Sequence, residues 1–251
     1  MFMKKRQEEI LALLEDNRSI TMRELVEIFK VPESTIRRDL TELDKQRKLE
    51  KVHGGAIVVE DHFRGTDEKV SEREGQNRTG KIKIARYAAS LIKKDDFVYL
   101  DAGTTTGYMI EAIREKSAAY VTNGVFHATK LAKRGFNVHI LGGRLKETTE
   151  AMVGEEAWEC LERYQFNIGF FGANGIGKKT GFTTSDISEA YVKRAAFTHS
   201  LKRYVLVDGR KFGRVSSVKF AEFQDAWLLT DYVLKVDLRI VKILLLSDDR
   251  K

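Results

Sequence analysis

The sequence predicts an α/β protein of two unequal parts, a small helical unit with a β-hairpin followed by a Rossmann-like, largely parallel α/β domain. Three observations predict it. Residues 1–59 hold three short amphipathic segments and a Gly-Gly turn, residues 60–80 form a charged linker with almost no apolar content, and residues 81–235 alternate apolar strands with helical segments. Residues 236–251 follow no pattern and are taken as a tail of unknown role.

Composition excludes several classes of function. The single cysteine, Cys160, rules out an internal disulfide framework and a Cys-cluster zinc site, and the five histidines show no metal-ligand spacing, so no metal and no cofactor is expected. Neither a secretory segment nor a bilayer-long apolar run is present, so the expectation is a cytoplasmic protein without membrane contact. The net charge of +7 decides little, because residues 1–60 carry 12 basic and 12 acidic side chains.

The first unit is predicted to contain three helices and a hairpin. Helices are expected over residues 4–16, from Met22 and over residues 33–45, and a hairpin over residues 49–59. Thr21 and Glu24 form a capping-box pattern at the second helix. The side chains expected to face the core are Ile10, Leu13 and Leu14 in the first helix, Met22, Leu25, Ile28 and Phe29 in the second, and Ile36, Leu40 and Leu43 in the third.

Three short helices and a hairpin within sixty residues are typical of a winged helix-turn-helix, in which one helix enters the major groove of DNA. With Ile36 and Leu40 buried, the exposed start of the third helix presents hydroxyl and guanidinium groups, which suit phosphates and the guanine edge. A basic strip continues into the hairpin. The predicted DNA-binding residues are Ser34, Thr35, Arg37, Arg38, Lys48, Lys51 and His53.

Charge alone would more often make Arg37 and Arg38 a solvated helix face. The wider string favours DNA. Residues 31–40, Val-Pro-Glu-Ser-Thr-Ile-Arg-Arg-Asp-Leu, with Val-His-Gly-Gly-Ala at 52–56, closely resemble the DNA-binding domain of the DeoR family of bacterial sugar-operon repressors. The resemblance implies that the third helix is the recognition helix and that His-Gly-Gly-Ala belongs to the wing. Pro32 and Lys51 depart from the family, which usually has serine and arginine there.

From Lys81 onward the pattern predicts a parallel sheet covered on both faces. The expected strands are 97–100, 119–121, 138–141, 168–171, 204–207 and 226–229, with helices such as 125–134, 155–164 and 187–200 between many of them. Glycine and polar residues follow all six strands. Because the carboxyl ends of such strands bound a ligand crevice, the sequence predicts a site for a polar ligand.

The first of these loops, Gly-Thr-Thr-Thr-Gly at 103–107, precedes a helix whose N-terminus suits a phosphate. It fits neither the dinucleotide nor the Walker A pattern, so those ligands are disfavoured. Taken alone, the loop is a weak signal, because such a sequence more often forms an ordinary strand-to-helix turn rich in small residues.

The resemblance to the DeoR family extends over about residues 4–231. The family's sensor domain carries, in this order, motifs that stand here at 101–105, 122–123, 142–143, 172–175, 189–194 and 208–212. The resemblance implies a domain similar in fold to sugar-phosphate isomerases such as ribose-5-phosphate isomerase, a phosphorylated sugar as effector, and assembly into homo-oligomers.

Carried over by position, Gly103, Thr104 and Thr105 would hold the phosphate, and Lys193 and Lys211 would supply positive charge. The remaining four residues, Asp101, Asn123, Glu189 and Asp208, would meet sugar hydroxyls or orient the lysines. Each of these four is equally well explained as a cap or a surface charge.

Two functions follow. The first is a DNA-binding regulator, a repressor of a sugar operon, with operator DNA and a phosphorylated sugar as partners and no catalytic residue. The alternative is a sugar-phosphate isomerase with an appended DNA-binding domain, since acids and lysines in one crevice can support proton transfer. Turnover of sugar phosphates would discriminate between them.

Overall fold

The computed structural model describes residues 3–17, 19–46, 48–52, 54–57, 70–177, 179–231 and 243–245. The chain divides into two compact units, Met1–Asp61 and His62–Lys251. Within the described ranges, no helix combines the length and the apolar character that a membrane crossing requires.

The first unit contains three helices and a small antiparallel sheet in the order β1-β3-β2. The three helices and the hairpin are as predicted, and β1 is an additional strand that pairs with β3. The elements are α1 (Met3–Asn17), β1 (Ser19–Thr21), α2 (Met22–Phe29), α3 (Glu33–Lys45), β2 (Glu50–Val52) and β3 (Gly55–Ile57).

The start of α2 is the capping box that the sequence predicts. The Glu24 amide donates to the Thr21 hydroxyl at 3.2 Å, and the Thr21 amide donates to the Glu24 carboxylate at 2.8 Å. In contrast, α3 begins after Pro32 without a side-chain cap. The proline fixes its own φ near −56°, which suits a helix entry.

The core of the first unit is formed by apolar side chains from α1, α2, α3 and the sheet. Ile36, Leu40 and Leu43 are buried, as the spacing predicts. The expectation for Ile28 is wrong, because its side chain is 51% exposed. The stripe of α2 that packs against the core runs instead through Met22, Leu25, Val26 and Phe29, which leaves Ile28 at the opposite edge of that stripe.

A buried ion pair joins α1 to α3. Arg6 donates through Nε to the Asp39 carboxylate at 2.5 Å, and both side chains are almost fully buried. Asp39 lies in the middle of α3, between the exposed Arg38 and the buried Leu40. The pair therefore fixes the rotation of α3 about its own axis, and with it the side of the helix that faces solvent.

The second unit is an α/β domain with one central sheet and two smaller antiparallel sheets. Its helices are α4 (Val70–Glu74), α5 (Arg78–Ser90), α6 (Thr104–Ala112), α7 (Val125–Lys133), α8 (Glu155–Leu161) and α9 (Ile187–Thr198). Its strands are β4 (Phe97–Leu100), β5 (Ala119–Thr122), β6 (Asn137–Ile140), β7 (Arg144–Lys146), β8 (Ala151–Val153), β9 (Phe166–Gly172), β10 (Gly175–Gly177), β11 (Gly181–Thr184), β12 (Ser200–Leu206), β13 (Val218–Ala221), β14 (Trp227–Thr230) and β15 (Ile243–Leu245).

Seven strands form one sheet in the order β15-β14-β12-β9-β4-β5-β6, and every neighbouring pair is parallel. All six predicted strands are present in it. The seventh, β15, pairs with β14 at the edge. It lies within residues 236–251, for which the sequence predicts no secondary structure.

Helices cover both faces of the sheet, because its strands alternate their side chains between two apolar clusters. Tyr99 and Phe171 face α8 and α9, whereas Val98, Leu100 and Phe170 face α5, α6 and α7. Each of these five side chains is fully buried. Burial of one such side chain is worth about 1.5–3 kcal/mol, so the two clusters together hold the sheet in place.

Two smaller antiparallel sheets lie outside the parallel sheet. Neither was predicted from the sequence. One is the hairpin β7-β8, and the other has the order β10-β11-β13. Phe182 on β11 and Phe220 on β13 stack with ring centroids 6.1 Å apart, and Phe220 also contacts Phe197 on α9. The second sheet is therefore anchored to the same core as α9.

The order of strands reverses at β4. From β4 the chain continues outward to β5 and β6, and then returns to place β9 on the other side of β4. In open α/β sheets the crevice at such a switch point is where ligands bind. The residues that follow β4 and β9, beginning with Asp101 and Ala173, bound this crevice.

We expect the substitution Asp39→Ala to destabilise the first unit by about 3–5 kcal/mol, because it leaves the Arg6 charge buried without a partner. Urea unfolding of the full chain followed by circular dichroism measures the change. The exposed Glu42 on the same helix is the matched control, and Glu42→Ala should change stability by less than about 0.5 kcal/mol. Equal effects of the two substitutions would contradict the structural role of the ion pair.

Candidate functional site

The exposed side of α3 carries the residues that the sequence assigns to DNA. Ser34, Arg37 and Arg38 are exposed and Thr35 is half-buried, whereas Ile36 beneath them is fully buried. Two guanidinium groups and two hydroxyls therefore stand at the first turns of one helix. Such groups can donate to phosphate oxygens and to guanine O6 and N7.

The two arginines differ in their surroundings. The Arg37 guanidinium lies 2.5 Å from the Glu33 carboxylate one turn earlier, and both side chains are more than half exposed. Such an exposed pair is worth little, so DNA can replace Glu33 as the partner of Arg37. Arg38 has no hydrogen bond or ion pair within the described part of the chain.

The basic strip continues beyond α3. Lys48 is exposed, and the exposed Lys51 on β2 donates through Nζ to the Thr41 hydroxyl at 2.8 Å. The Lys51 amide also donates to Asp44 at 3.1 Å, which ties the start of the hairpin to the end of α3. The predicted wing residue His53 lies outside the described residues.

In the second unit, the buried Asp101 organises the switch-point crevice. Its carboxylate accepts a hydrogen bond from the Gly172 amide at 2.9 Å and forms an ion pair with Lys193 of α9. The ends of β4 and β9 are thereby joined. Burial raises the pKa of Asp101, although the charge of Lys193 and its hydrogen bond act in the opposite direction.

Asn123, at the end of β5, supports the same loop from beneath. Its side-chain oxygen accepts a hydrogen bond from the Ala102 amide at 2.8 Å, and the residue is 2% exposed. Neither Asn123 nor Asp101 lines the open crevice. Both hold the residues that do line it.

The loop after β4 leads into the N-terminus of α6. Gly103 is the extended N-cap, and Gly103, Thr104 and Thr105 all line the crevice. The first amides of a helix have no acceptor within it, and the helix dipole places partial positive charge there. This loop can therefore accept an anion such as a phosphate.

Two buried side chains fix this loop from the opposite side. The Thr106 hydroxyl lies 2.6 Å from the Asp101 carbonyl and 2.9 Å from the Gly103 carbonyl, and His127 Nε2 lies 3.1 Å from the same hydroxyl. Burial lowers the pKa of His127 to about 4. The imidazole is therefore neutral at physiological pH.

Glu189, near the start of α9, is held by three neighbours. Its carboxylate accepts hydrogen bonds from Thr149 at 2.6 Å, from Lys146 at 3.2 Å and from Thr184 at 3.2 Å. The side chain lines the crevice and is almost fully buried. With so many donors around it, Glu189 is suited to orienting its neighbours and to accepting one further hydrogen bond.

Asp208, at the end of β12, begins a short 3₁₀ helix over Gly209–Lys211. Its carboxylate accepts hydrogen bonds from the Arg210 amide at 3.1 Å and from Arg210 Nε at 3.0 Å. Burial alone would raise the pKa of Asp208, but the hydrogen bonds and charge of Arg210 outweigh it and lower that pKa. Lys211 also lines the crevice, and burial lowers the pKa of its ammonium group to about 8.

Three further basic residues, which the sequence motifs did not predict, line the crevice: Arg73, Lys81 and Arg210. Lys81 is 2% exposed, and burial lowers its pKa to about 8. A signal for Lys81 exists, because it precedes Ile84, Ala85 and Ala88 by three, four and seven residues and so lies on the buried face of α5. Arg73 carried no comparable signal, since the surrounding charged stretch has no apolar period.

Together these residues form one cationic cavity. Seven of the nine predicted effector residues line it, along with the three additional basic side chains. Five cations face two carboxylates at the wall and Asp101 beneath them, which leaves positive charge in excess. Within the described residues, no cluster of histidine, cysteine, aspartate and glutamate could hold a metal ion.

Comparison with known families accounts for both units. Residues 6–62 match the DeoR-like helix-turn-helix domain, and residues 76–232 match the DeoR C-terminal sensor domain. The chain belongs to the DeoR family. Members of this family that resemble it in sequence are named as transcriptional regulators, and this chain is accordingly a DNA-binding regulator rather than an enzyme.

Three DeoR-type relatives cover almost the whole chain. An uncharacterized HTH-type transcriptional regulator of Bacillus subtilis, FruR, is 38% identical over 92% of this chain and 91% of its own. The lactose phosphotransferase system repressor of Staphylococcus epidermidis is 35% identical over 88% of both chains. The repressor of the same name from Streptococcus mutans is 33% identical over 90% of this chain and 91% of its own.

Solved structures are similar only at a distance. Ribose 5-phosphate isomerase A from Methanocaldococcus jannaschii has a TM-score of 0.40 and 16% identity over 55% of each chain. The delta subunit of eIF2B from Chaetomium thermophilum has a TM-score of 0.40 and 17% identity over 72% of this chain and 57% of its own. Likenesses at this level say nothing about activity.

We expect His127 to make the second unit less stable as the pH falls from about 6.5 to about 4. In this interval the unfolded chain protonates His127 and the folded chain does not, so the free energy of unfolding decreases by about 3 kcal/mol at about 1.4 kcal/mol per pKa unit. Urea unfolding at several pH values measures the decrease. The variant His127→Gln should lack this component, and identical pH profiles of both proteins would contradict the low pKa.

Proposed function

We propose that the chain represses an operon for the uptake or catabolism of a sugar, and that a phosphorylated sugar controls the affinity of the protein for operator DNA. The observation that carries the proposal is the cationic cavity at the strand switch point, in a chain that also presents the basic surface of α3. Two of the relatives are named as repressors of the lactose phosphotransferase system, which supports a sugar-linked operon. As a DNA-binding regulator of transcription, the protein would act in the cytoplasm.

In this proposal α3 reads the major groove. Arg37 and Arg38 would form bidentate contacts with guanine or with phosphates, and Ser34 and Thr35 would donate to the backbone. Lys48 would add a contact from the turn after α3, and Lys51 and His53 would add contacts from the hairpin. The buried Arg6–Asp39 pair would keep the arginines on the DNA side of the helix.

The phosphate of the effector would occupy the N-terminus of α6. There Gly103, Thr104 and Thr105 offer amides and hydroxyls, and Lys81 and Lys211 offer ammonium groups at the same cavity. The sugar hydroxyls would meet the other polar groups of the wall, Glu189, Lys193 and Asp208. Asp101 and Asn123 would act beneath them by holding the loop and Lys193 in position.

Control of DNA binding requires that the ligand bind two conformations of the protein with different affinity. A repressor is released when the ligand favours the conformation with the weaker grip on DNA. By thermodynamic reciprocity, operator DNA must then weaken the binding of the ligand by the same factor. A titration of the ligand with and without operator measures this factor directly.

Self-association is part of the proposal, because paired helix-turn-helix units read repeated half-sites. The second unit offers apolar surface for it. Ile187 and Tyr191 lie one turn apart on α9 and are each more than half exposed, and Trp158 on the neighbouring α8 is 41% exposed. Exposed aromatic and branched side chains on adjoining helices are typical of subunit contacts.

We expect Arg37→Ala and Arg38→Ala each to weaken specific DNA binding by about 1–3 kcal/mol, roughly 5- to 150-fold, if the side chain contacts a base. A phosphate contact would instead lower the salt slope of binding by about one. Fluorescence anisotropy with DNA from upstream of the protein's own gene, at two salt concentrations, measures both. Arg23→Ala is the matched control, since Arg23 is an exposed arginine on α2. Unchanged binding in both α3 variants would contradict the recognition-helix assignment.

We expect Lys211→Ala to weaken the binding of a sugar phosphate by about 10- to 150-fold, because a charge-assisted hydrogen bond is worth about 1.5–3 kcal/mol. Calorimetry with a panel of hexose monophosphates and their unphosphorylated sugars measures the loss. The exposed Lys202 on β12 provides the control variant Lys202→Ala. DNA affinity without ligand should be the same in all three proteins. Binding of unphosphorylated sugars, or of no sugar at all, would contradict the proposed effector class.

A further inference from the structure

The cationic cavity is too small for the ligand proposed for it, and a second cavity lies directly beside it. The cationic cavity measures about 40 Å³, room for about three water molecules at 10–15 Å³ each, whereas small-molecule sites usually measure about 300–1,000 Å³. The neighbouring cavity measures about 920 Å³. Gly103, Thr104 and Thr149 line both of them.

The short helix α4 and the turn after it stand between the two cavities. Val70 and Glu74, one turn apart on α4, line the larger cavity. Arg73 and Gln76, three residues apart, line the smaller one. Residues 70–77 therefore present one side to each cavity, and the N-terminus of α6 is reached from both.

Polar contacts hold residues 70–77 in this position. None of their described side chains is fully buried, so these side chains add little to the core. Five hydrogen bonds connect it to separate parts of the unit: Val70 N to the Thr148 carbonyl at 3.2 Å, Tyr108 Oη to the Glu74 carbonyl at 3.1 Å, Lys81 Nζ to the Arg73 carbonyl, Arg210 Nη1 to Gln76 Oε1 at 3.1 Å, and Asn77 Nδ2 to Asp231 Oδ2 at 3.1 Å. Segments held in this way belong to the least stable parts of a fold.

Two of these donors, Lys81 and Arg210, are also cations of the small cavity. A phosphate group in the cavity would attract both of them, because an anion is a stronger acceptor than a carbonyl or an amide oxygen. The ligand and the closed position of residues 70–77 would thus compete for the same donors. The Nε of Arg73, by contrast, is buried without a hydrogen-bond partner in the described part of the chain, so it does not help to hold residues 70–77 in the closed position.

We propose that residues 70–77 form a removable partition, which must leave its place before the phosphorylated ligand can occupy the small cavity. This inference rests on the proposed function and adds its regulation. Opening joins the two cavities, and the larger one serves as the route of entry. Because only residues 62–69 separate the partition from the first unit, its displacement moves the point at which the chain leaves the sensor domain. The ligand thereby favours the conformation that we assign to weak DNA binding.

A reversible cross-link tests the proposal. Val70→Cys with Thr148→Cys, in a Cys160→Ser background, would lock the partition closed, since the two residues share a backbone hydrogen bond and disulfides join Cα atoms about 4.4–6.8 Å apart. The test uses the hexose monophosphate that binds the wild type. We expect the oxidised protein to bind this ester at least 10-fold more weakly and to stay bound to DNA when the ester is present. Reduction should restore the affinity for the ester and the release of DNA by the ester. Cys160→Ser alone should match the wild type.

A loosened partition should act in the opposite direction. Tyr108→Phe removes the hydrogen bond to Glu74 and keeps the ring, so the open fraction rises and the apparent Kd for the ester falls by about fivefold. Amide exchange of residues 70–77 should also become faster in the absence of ligand. Tyr164→Phe, at a half-buried tyrosine packed against the opposite cluster, is the matched control.

The outcomes separate the two proposals. Unchanged ester binding in both the oxidised cross-linked protein and Tyr108→Phe would overturn the partition and leave the effector proposal standing. If no ester of the panel binds the wild type, the proposed function fails and the partition fails with it. Weaker binding after oxidation together with tighter binding in Tyr108→Phe would support the partition, because a merely structural defect would not move the affinity in both directions.

Discussion

The ion pair between Lys193 and Asp101 is the contact on which the second unit depends. Asp101 is fully buried at the end of β4, and its carboxylate also accepts the Gly172 amide at the end of β9. Lys193 adds α9 to the same point. The reversal of strand order, the crevice and the position of α9 therefore share one buried charge. Removing one partner of such a pair usually costs about 3–5 kcal/mol, since the other charge stays buried.

This arrangement divides the polar groups of the crevice into two kinds. The side-chain oxygens of Asn123 and Glu189 and Oδ2 of Asp101 are engaged by neighbouring donors, and these residues give the wall its shape. The basic groups Lys81 and Lys211 stand at the cavity and are the ones an anion would meet.

Much of this architecture could be predicted from the sequence, because hydrophobic periodicity and helix-capping residues are local signals. The capping box at Thr21, the spacing of Ile36, Leu40 and Leu43, and the apolar strand at 97–100 each depend on neighbouring residues alone. The loops after the strands could be gathered at one place, since parallel strands end on the same edge of a sheet. Seven of the nine effector residues that the resemblance to the DeoR family implies line one cavity.

Other features depend on long-range contacts and left no clear local signal. The strands β10, β11 and β13 are only three or four residues long, and they gain stability by pairing with each other and packing on α9. Ile28 has the apolar side chain of a typical core residue, but the direction from which α3 packs against α2 decides its exposure. Arg73 enters the crevice only because tertiary contacts place α4 beside it.

The buried lysines affect the number of protons that the protein takes up when the ligand binds. With pKa values of about 8, Lys81 and Lys211 are partly neutral near neutral pH. A phosphate beside them favours their charged form, and they would take up protons from the buffer as it arrives. Effector binding would then be a proton-consuming event, whose observed heat changes with the ionisation enthalpy of the buffer. Ligand binding and the acidity of the surrounding solution would be coupled at this one cavity.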